Sequence, residues 1–164
     1  MATGVERNQT LDRGDLTELP GHLLRRCHQI SVALFHDECA GFDITPLQFA
    51  VLTVLKVHGA KDQASIGGLA ALDRTTVAVV VQKLEDRDLV RRMQSDQDRR
   101  AKIVSITAAG LTLLSEVSKA VARVEGRTLA PLSEGEAREF TRLLRKLAEG
   151  NNTHSRAPMK QRKR

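Results

Sequence analysis

The sequence has 164 residues, 41% of them hydrophobic, which predicts a folded protein with a single core. It carries 26 Lys and Arg against 20 Asp and Glu, a net charge of +6. The sequence disfavours three classes of protein. We do not expect a transmembrane protein, because no apolar run reaches the roughly 18 residues of a membrane-spanning helix, and two cysteines cannot build the framework of a disulfide-rich protein. A chain without Trp or Tyr also lacks the aromatic side chains of most modules that bind single-stranded nucleic acid.

The N-terminal part predicts a loose arm followed by one long helix. Residues 1–15 are polar and aperiodic, so we expect a flexible arm without a secretory signal, and a cytoplasmic protein with free thiols. Apolar residues then recur at helical spacing, which predicts an amphipathic helix from about Leu16 or Gly21 to Cys39. The apolar positions are Leu23, Cys27, Ile30 and Leu34.

A capping box opens the second predicted helix. Thr45 can cap it, Pro46 suits its first turn, and Gln48 completes the box. The positions that follow are apolar around the whole circumference as far as Val57, so we expect a buried central helix that ends at His58.

Two shorter helices follow, and their pattern predicts a helix-turn-helix. Asp62 can cap a helix over residues 63–71, and Asp73 can cap another over residues 74–87. The buried stripe of the second helix is expected to be Val77, Val80, Val81 and Leu84.

Alternating segments at 89–93 and 102–106 predict two strands with a polar connection between them, which is a β-hairpin, or wing. Residues 87–102 hold six basic and three acidic side chains, a charge pattern that suits a polyanion but also fits a solvated hairpin. The basic residues are Arg87, Arg91, Arg92, Arg99, Arg100 and Lys102.

The C-terminal part predicts two more helices and a basic tail. Thr107 can cap a helix over about 108–130, and Ser133 with Glu136 forms a second capping box for a helix closed by Gly150. The small winged body cannot cover the apolar stripes of the end helices, so we predict a homodimer with recognition helices ~34 Å apart. The tail holds five basic residues and no acid.

These patterns predict a mainly α fold of the α+β winged-helix type. We expect dimerisation helices at 16–44 and 107–149, a winged helix-turn-helix DNA-binding domain at 45–106, and a disordered basic tail at 150–164.

The segments 72–77, 84–90, 98–102 and 106–110, in this order and spacing, resemble the MarR family of bacterial regulators over about residues 16–149. The resemblance implies a triangular homodimer that mostly represses nearby operons and leaves DNA when a small, often phenolic, ligand binds. It implies that Arg100 enters the minor groove, positioned by Asp98, and that the first turn of the recognition helix meets bases or phosphates. The remaining DNA candidates are Arg74, Thr75, Thr76, Gln82, Lys83, Arg99 and Lys102. Capping and packing are the alternative roles for Thr75 and Thr76.

Two positions depart from the family pattern. Many members place a basic residue near Val79, where this sequence reads Ala78-Val79-Val80. Asp88 replaces a common glycine, and we expect the turn to survive because aspartate tolerates a left-handed backbone.

The first helix also predicts an effector site. Arg25, His28 and His36 fall near one face, where arginine can grip a carboxylate and histidine can bond a ring substituent, while Phe49 supplies an apolar floor. We therefore expect a hydroxybenzoate- or hydroxynicotinate-like acid, and the stretches 19–30 and 45–49 resemble a branch that controls catabolism of such compounds. An intersubunit salt bridge is the alternative role for Arg25 and His28.

The residues offer little support for three other functions. Cys27 beside Arg26 could be a redox sensor, but the chain lacks the tyrosines of peroxide-sensing relatives, and Cys27 shares the apolar stripe, so we expect it to be buried. No phosphate-binding loop, nucleophile elbow or metal-ligand spacing supports an enzyme, and we expect no cofactor or metal. A protein-interaction adaptor would not need the basic wing.

Overall fold

The computed structural model describes residues 16–94 and 102–160, and it confirms the winged-helix fold class. A short 3-10 turn at Leu16–Glu18 precedes six α-helices and three strands. The helices are α1 (Pro20–Glu38), α2 (Pro46–His58), α3 (Gln63–Ala70), α4 (Arg74–Glu85), α5 (Ala108–Leu129) and α6 (Glu134–Gly150). The strands are β1 (Lys61–Asp62), β2 (Val90–Gln94) and β3 (Lys102–Ile106).

The helices begin where the capping residues predict. Thr45 Oγ1 accepts from the Gln48 N–H at 3.3 Å, and the Thr45 N–H donates to Gln48 Oε1 at 2.8 Å, so both halves of the capping box are present. The side chains of Asp62, Asp73 and Thr107 each accept from the backbone N–H three residues on and cap α3, α4 and α5, whereas Ser133 forms a second complete capping box with Glu136 at α6.

The three strands form one antiparallel sheet in the order β1-β3-β2. Strands β2 and β3 pair from Val90 opposite Ile106 to Gln94 opposite Lys102, which confirms the predicted hairpin strands. Strand β1 was not predicted, because two residues are too few to show an alternating pattern.

The core lies where α2, α4, α5 and the sheet meet. Val51, Leu52 and Leu55 of α2 are fully or almost fully buried, and so is the predicted stripe of α4. Burial of each such side chain is worth about 1.5–3 kcal/mol. The expectation that α2 is buried all round is wrong at its last turn, where Val57 is 63% exposed.

Three non-glycine residues among those described, Asp43, Ala71 and Asp88, have a left-handed backbone. Asp88 has φ 54°, so aspartate fills the position that glycine often takes, as the sequence predicted. Ala71, between α3 and α4, also has φ 54°, a conformation that strains an alanine.

The base of the wing is packed tightly against the start of α5. The Thr107 hydroxyl donates to the Asp88 carbonyl at 2.7 Å, and the Gly110 N–H donates back to that hydroxyl at 3.0 Å. A Cβ at Gly110 would collide with the Leu89 carbonyl oxygen and lie 2.8 Å from Ile106 Cγ1. Only glycine therefore permits this approach.

Helix α1 is fixed to α5 at its C-terminal end. Arg123 Nε donates to Glu38 Oε2 at 2.7 Å, and Arg127 Nη1 donates to Glu38 Oε1 at 2.9 Å. These hydrogen bonds, the one from Arg123 first, lower the pKa of the Glu38 carboxyl.

Much of α1 and the whole of α6 leave apolar side chains uncovered. Helix α1 buries only Phe35, and α6 buries no residue at all. The large exposed apolar residues on these two helices are Leu23, Leu24, Ile30, Leu143 and Leu147.

The chain beyond α6 differs from the predicted disordered tail over its described part. Residues Asn152–His154 form a 3-10 turn, and the Lys160 N–H donates to the Gly68 carbonyl of α3 at 2.8 Å. The charge of the tail predicts a solvated segment. Instead, the hydrogen bond from Lys160 and those of the Asn152 side-chain amide to Met159 hold residues 152–160 in place. Residues 161–164 lie outside the described residues.

Among the described residues, no single helix is long and apolar enough to cross a bilayer. Helices α3 and α4 meet the length and composition test only when joined across their 108° bend, and Ile66 of α3 and the buried stripe of α4 belong to the core.

Candidate nucleic-acid interface and effector site

The exposed face of α4 begins at a capped N-terminal turn. Asp73 accepts from the Thr76 N–H at 3.0 Å, and Arg74 and Thr75 are exposed in the turn that follows. The middle of the same face carries the small apolar side chains Ala78 and Val79, the latter 51% exposed. The exposed face of α4 is therefore polar at its first turn and apolar in its middle, where no side chain can form a hydrogen bond with a base.

Thr76 plays a different part from its neighbours. It is half-buried, and its hydroxyl donates to Asp73 Oδ2 at 2.7 Å. The hydrogen bond from the Thr76 backbone N–H and, to a smaller extent, the one from its hydroxyl lower the pKa of the Asp73 carboxyl. Thr76 therefore closes the cap, and its hydroxyl hydrogen is already used.

Further along α4, Gln82 and Lys83 are both exposed. Gln82 Nε2 donates to Asp86 Oδ1 at 2.7 Å on the same helix, so contact with a base would require this bond to break. Lys83 offers its charge to solvent.

Two of the six basic residues counted in the wing region hold the fold together. The Arg92 N–H donates to Glu85 Oε1 at 3.1 Å, and its guanidinium lies 3.4 Å from Glu85 Oε2, which ties β2 to α4. Arg87 donates to the carbonyl oxygens of Phe42 and Asp43. Arg91 and Lys102 remain exposed.

The tip of the wing falls on residues 95–101. The candidates Asp98, Arg99 and Arg100 therefore lie outside the described residues. The strands on either side, which end at Gln94 and begin at Lys102, are paired in register.

The effector candidates on α1 are exposed in the single chain. Arg25 donates to Gln29 Oε1 at 2.8 Å and to His22 Nδ1 at 3.5 Å, and His28 and His36 are exposed. Helical rise places His36 about 12 Å beyond His28 along α1. The three side chains thus form two groups on the helix and not one cluster.

Phe49 belongs to the second of these groups. It is half-buried on α2, and its ring packs edge-on against Phe35, with centroids 6.3 Å apart. Phe35 in turn lies 6.4 Å from the His36 ring. An apolar floor next to a histidine is therefore present at this end of α1.

The two thiols differ in environment. Cys39 is buried, and desolvation raises the pKa of its thiol, which favours the unreactive neutral form. Cys27 is exposed in the single chain, so the expectation that it is buried is wrong within one chain. Among residues 16–94 and 102–160, no three His, Cys, Asp or Glu side chains are placed to hold a metal ion.

Fold and site together define a winged-helix regulator, and comparison with known proteins gives its family. The sequence profile of the MarR family matches residues 44–102. The HTH-type transcriptional repressor NicR of Pseudomonas putida is 32% identical over 137 residues, which cover 84% of this chain and 87% of NicR. The chain belongs to the MarR family.

Solved structures agree. The structure of Bordetella bronchiseptica BpsR, described as regulated in DNA binding by 6-hydroxynicotinic acid, has a TM-score of 0.79 and 31% identity, covering 82% of this chain and 96% of BpsR. The repressor CouR, bound to a 23-mer DNA duplex, has a TM-score of 0.78 and 30% identity, covering 84% of this chain and 98% of CouR. NicR, BpsR and CouR, like the MarR family as a whole, are transcriptional regulators and not enzymes.

Sequence reasoning missed the anchoring roles of Arg87 and Arg92 and the contact of Lys160 with Gly68. A count of charges could not have found them, because each depends on a partner in another element of the fold: Glu85 lies on α4, Phe42 lies before α2, and Gly68 lies on α3.

Proposed function

We propose that the protein is a homodimeric MarR-type repressor that binds a palindromic DNA operator and leaves it when a small aromatic carboxylate binds. The observation that carries the proposal is the exposed, capped first turn of α4 beside a wing strand fixed to that helix through Glu85. The printed descriptions of NicR, BpsR and CouR support it.

On DNA, Arg74 and Thr75 would contact base edges or phosphates in the major groove, with Gln82 and Lys83 further along α4. The small side chains of Ala78 and Val79 allow a close approach and suit the methyl group of thymine. Arg100, positioned by Asp98, would enter a narrow minor groove, while Arg99 and Lys102 contact phosphates.

The effector would bind along α1. Arg25 and His28, one helical turn apart, can share a carboxylate, whereas His36 and Phe49 offer a ring donor and an apolar floor. Because about 12 Å of helix separates the two groups, they would contact the same small ligand only if another part of the protein completed the pocket between them. A second chain packed on the exposed apolar face of α1 would be well placed to do so.

The DNA proposal is tested by selecting duplexes from a random pool and titrating the best one at several salt concentrations. We expect Arg100→Ala to bind on the order of tenfold more weakly, with a salt slope shallower by about one per chain. Lys119→Ala, which removes an exposed charge from α5, is the matched control and should bind like the wild type. Undiminished binding by Arg100→Ala would remove the wing from the proposal.

The effector proposal is tested by adding 6-hydroxynicotinate and 4-hydroxybenzoate to the preformed complex. We expect at least one acid to release the DNA, and its primary amide, which lacks the carboxylate, to release none. Arg25→Gln should weaken the response to the acid while leaving DNA affinity unchanged. Release by the amide at the same concentration would show that no carboxylate is recognised.

The exposure of Cys27 favours one alternative, a thiol-based redox sensor. Titrating the protein–DNA complex with peroxide distinguishes this redox sensor from a sensor of aromatic acids. The effector proposal expects no peroxide response that depends on Cys27, whereas a response lost in Cys27→Ser would favour the redox sensor.

A further inference from the structure

The segment that follows α6 folds into a closed loop. Asn152 Nδ2 donates to the Met159 carbonyl at 3.0 Å, and Asn152 Oδ1 accepts from the Met159 N–H at 2.8 Å. The Asn152 side chain thus closes the loop by binding the backbone of Met159, seven positions further along the chain. We call residues 151–160 the C-terminal strap.

The C-terminal strap is attached to α3. The Lys160 N–H donates to the Gly68 carbonyl at 2.8 Å, and the Lys160 side chain lies directly over Gly68. A Cβ at Gly68 would come within 2.8–3.0 Å of Lys160 Cγ, Cδ and Cε. The absent side chain of Gly68 therefore leaves the space that the lysine occupies.

The attachment brings positive charge to the start of α4. Arg156 and Lys160 are exposed, and the charge of Arg156 reaches Asp73, where it contributes the smallest of several effects that lower the pKa of that carboxyl. Arg74 and Thr75 remain exposed with the strap in place. The strap therefore lies beside the recognition turn without covering it.

We propose that the C-terminal strap extends the DNA interface, with Arg156 and Lys160 contacting backbone phosphates that flank the bases facing the first turn of α4. This inference rests on the proposed function, because it requires α4 to enter the major groove. A polyanion attracts an exposed cationic strap, which argues against a role in blocking DNA. The hydrogen bonds of Asn152 hold the charges in place before DNA arrives, so less ordering entropy is lost on binding.

Three variants of the full chain separate charge from placement. Arg156→Gln/Lys160→Gln removes two charges but keeps the Asn152 hydrogen bonds. Asn152→Ala keeps the charges but opens the loop. Lys56→Gln/Lys119→Gln removes two exposed charges elsewhere and serves as the control. Each is titrated with the selected duplex at several salt concentrations.

We expect the charge variant to bind on the order of tenfold more weakly and to lower the salt slope by about two per chain. Asn152→Ala should lose several-fold in affinity, and the control should stay near the wild type.

Replacing the flanking phosphates by neutral methylphosphonates should weaken the binding of the wild type more than the binding of the charge variant. Unchanged or tighter binding by the charge variant overturns the strap proposal while the wild type still binds DNA, whereas a wild type that binds no duplex overturns the proposed function itself.

Discussion

The winged body and the end helices carry similar amphipathic patterns but bury them to different extents within one chain. In the body, Val77, Val81 and Leu84 of α4 are completely buried against α2 and the sheet. In α6 the apolar stripe ends in Leu147, which is 52% exposed, and no residue of the helix is buried. An apolar stripe thus predicts that a helix packs, but it does not say whether the partner lies in the same chain.

The body is also closed by specific contacts, whereas the N-terminal half of α1 and the whole of α6 stay largely uncovered. Gly110 and Thr107 lock the wing to α5, and Glu85 locks it to α4. Of the end helices, α1 is fixed through Glu38, but its N-terminal half is exposed. We therefore expect body variants to act on folding and end-helix variants to act on assembly.

The largest effect is expected from Gly110→Ala, which tests the closed body. A methyl group there would meet the Leu89 carbonyl and the Ile106 side chain, so the free energy of unfolding should fall by about 3 kcal/mol. Urea titration followed by circular dichroism measures this loss. Gly135→Ala, where a Cβ meets open space, is the control and should remain near the wild type. Equal stability of the two variants would contradict the packing described at the wing base.

The second effect tests the end helices. Leu143→Glu/Leu147→Glu places two charges on the exposed stripe of α6 and should convert the proposed dimer into monomers, because charged side chains cannot be buried there without partners. Affinity for a palindromic duplex should fall on the order of 100-fold, since the two half-sites no longer bind together.

Analytical ultracentrifugation at micromolar concentration measures the assembly directly. Thr141→Glu, which adds a charge to α6 at an exposed polar position outside the apolar stripe, should remain dimeric. A double Leu variant that still sediments as a dimer would place the interface elsewhere.

The smallest effect sharpens the comparison within the body. Ala71→Gly should raise the unfolding free energy by about 1 kcal/mol, because glycine adopts the left-handed backbone of this turn without strain. Ala78→Gly, inside α4, should lower it by about 1 kcal/mol. Thermal unfolding of both variants checks the opposite signs, and a loss of stability in Ala71→Gly would contradict the strained turn.

Much of the body could be predicted from local patterns. Capping residues located the starts of α2 to α6, and apolar spacing identified the buried stripe of α4. These predictions succeed because a cap bonds to groups within three residues and a stripe follows from helical geometry. The two-residue strand β1 escaped prediction, since its identity comes from its pairing with Val104 and Ile103 of β3.

The candidate site was predicted only in part. The exposed positions of Arg74, Thr75 and Lys83 follow from the helical period, but the use of the Thr76 hydroxyl in the cap does not. The anchoring of Arg87 and Arg92 and the exposure of Cys27 depended on surroundings that no local pattern describes.

The starts of α2 to α6, their apolar faces and the family of the chain can be worked out from residue order alone, because these properties depend on near neighbours and on ordered motifs. Which charges are free, which of them hold the fold, and the return of the chain after α6 to Gly68 follow from how the helices and strands pack. The physical reason is that hydrogen bonds and ion pairs between distant residues depend on how the helices are arranged in space. A charge has the same sequence signature whether it faces solvent, a carboxylate or a backbone carbonyl.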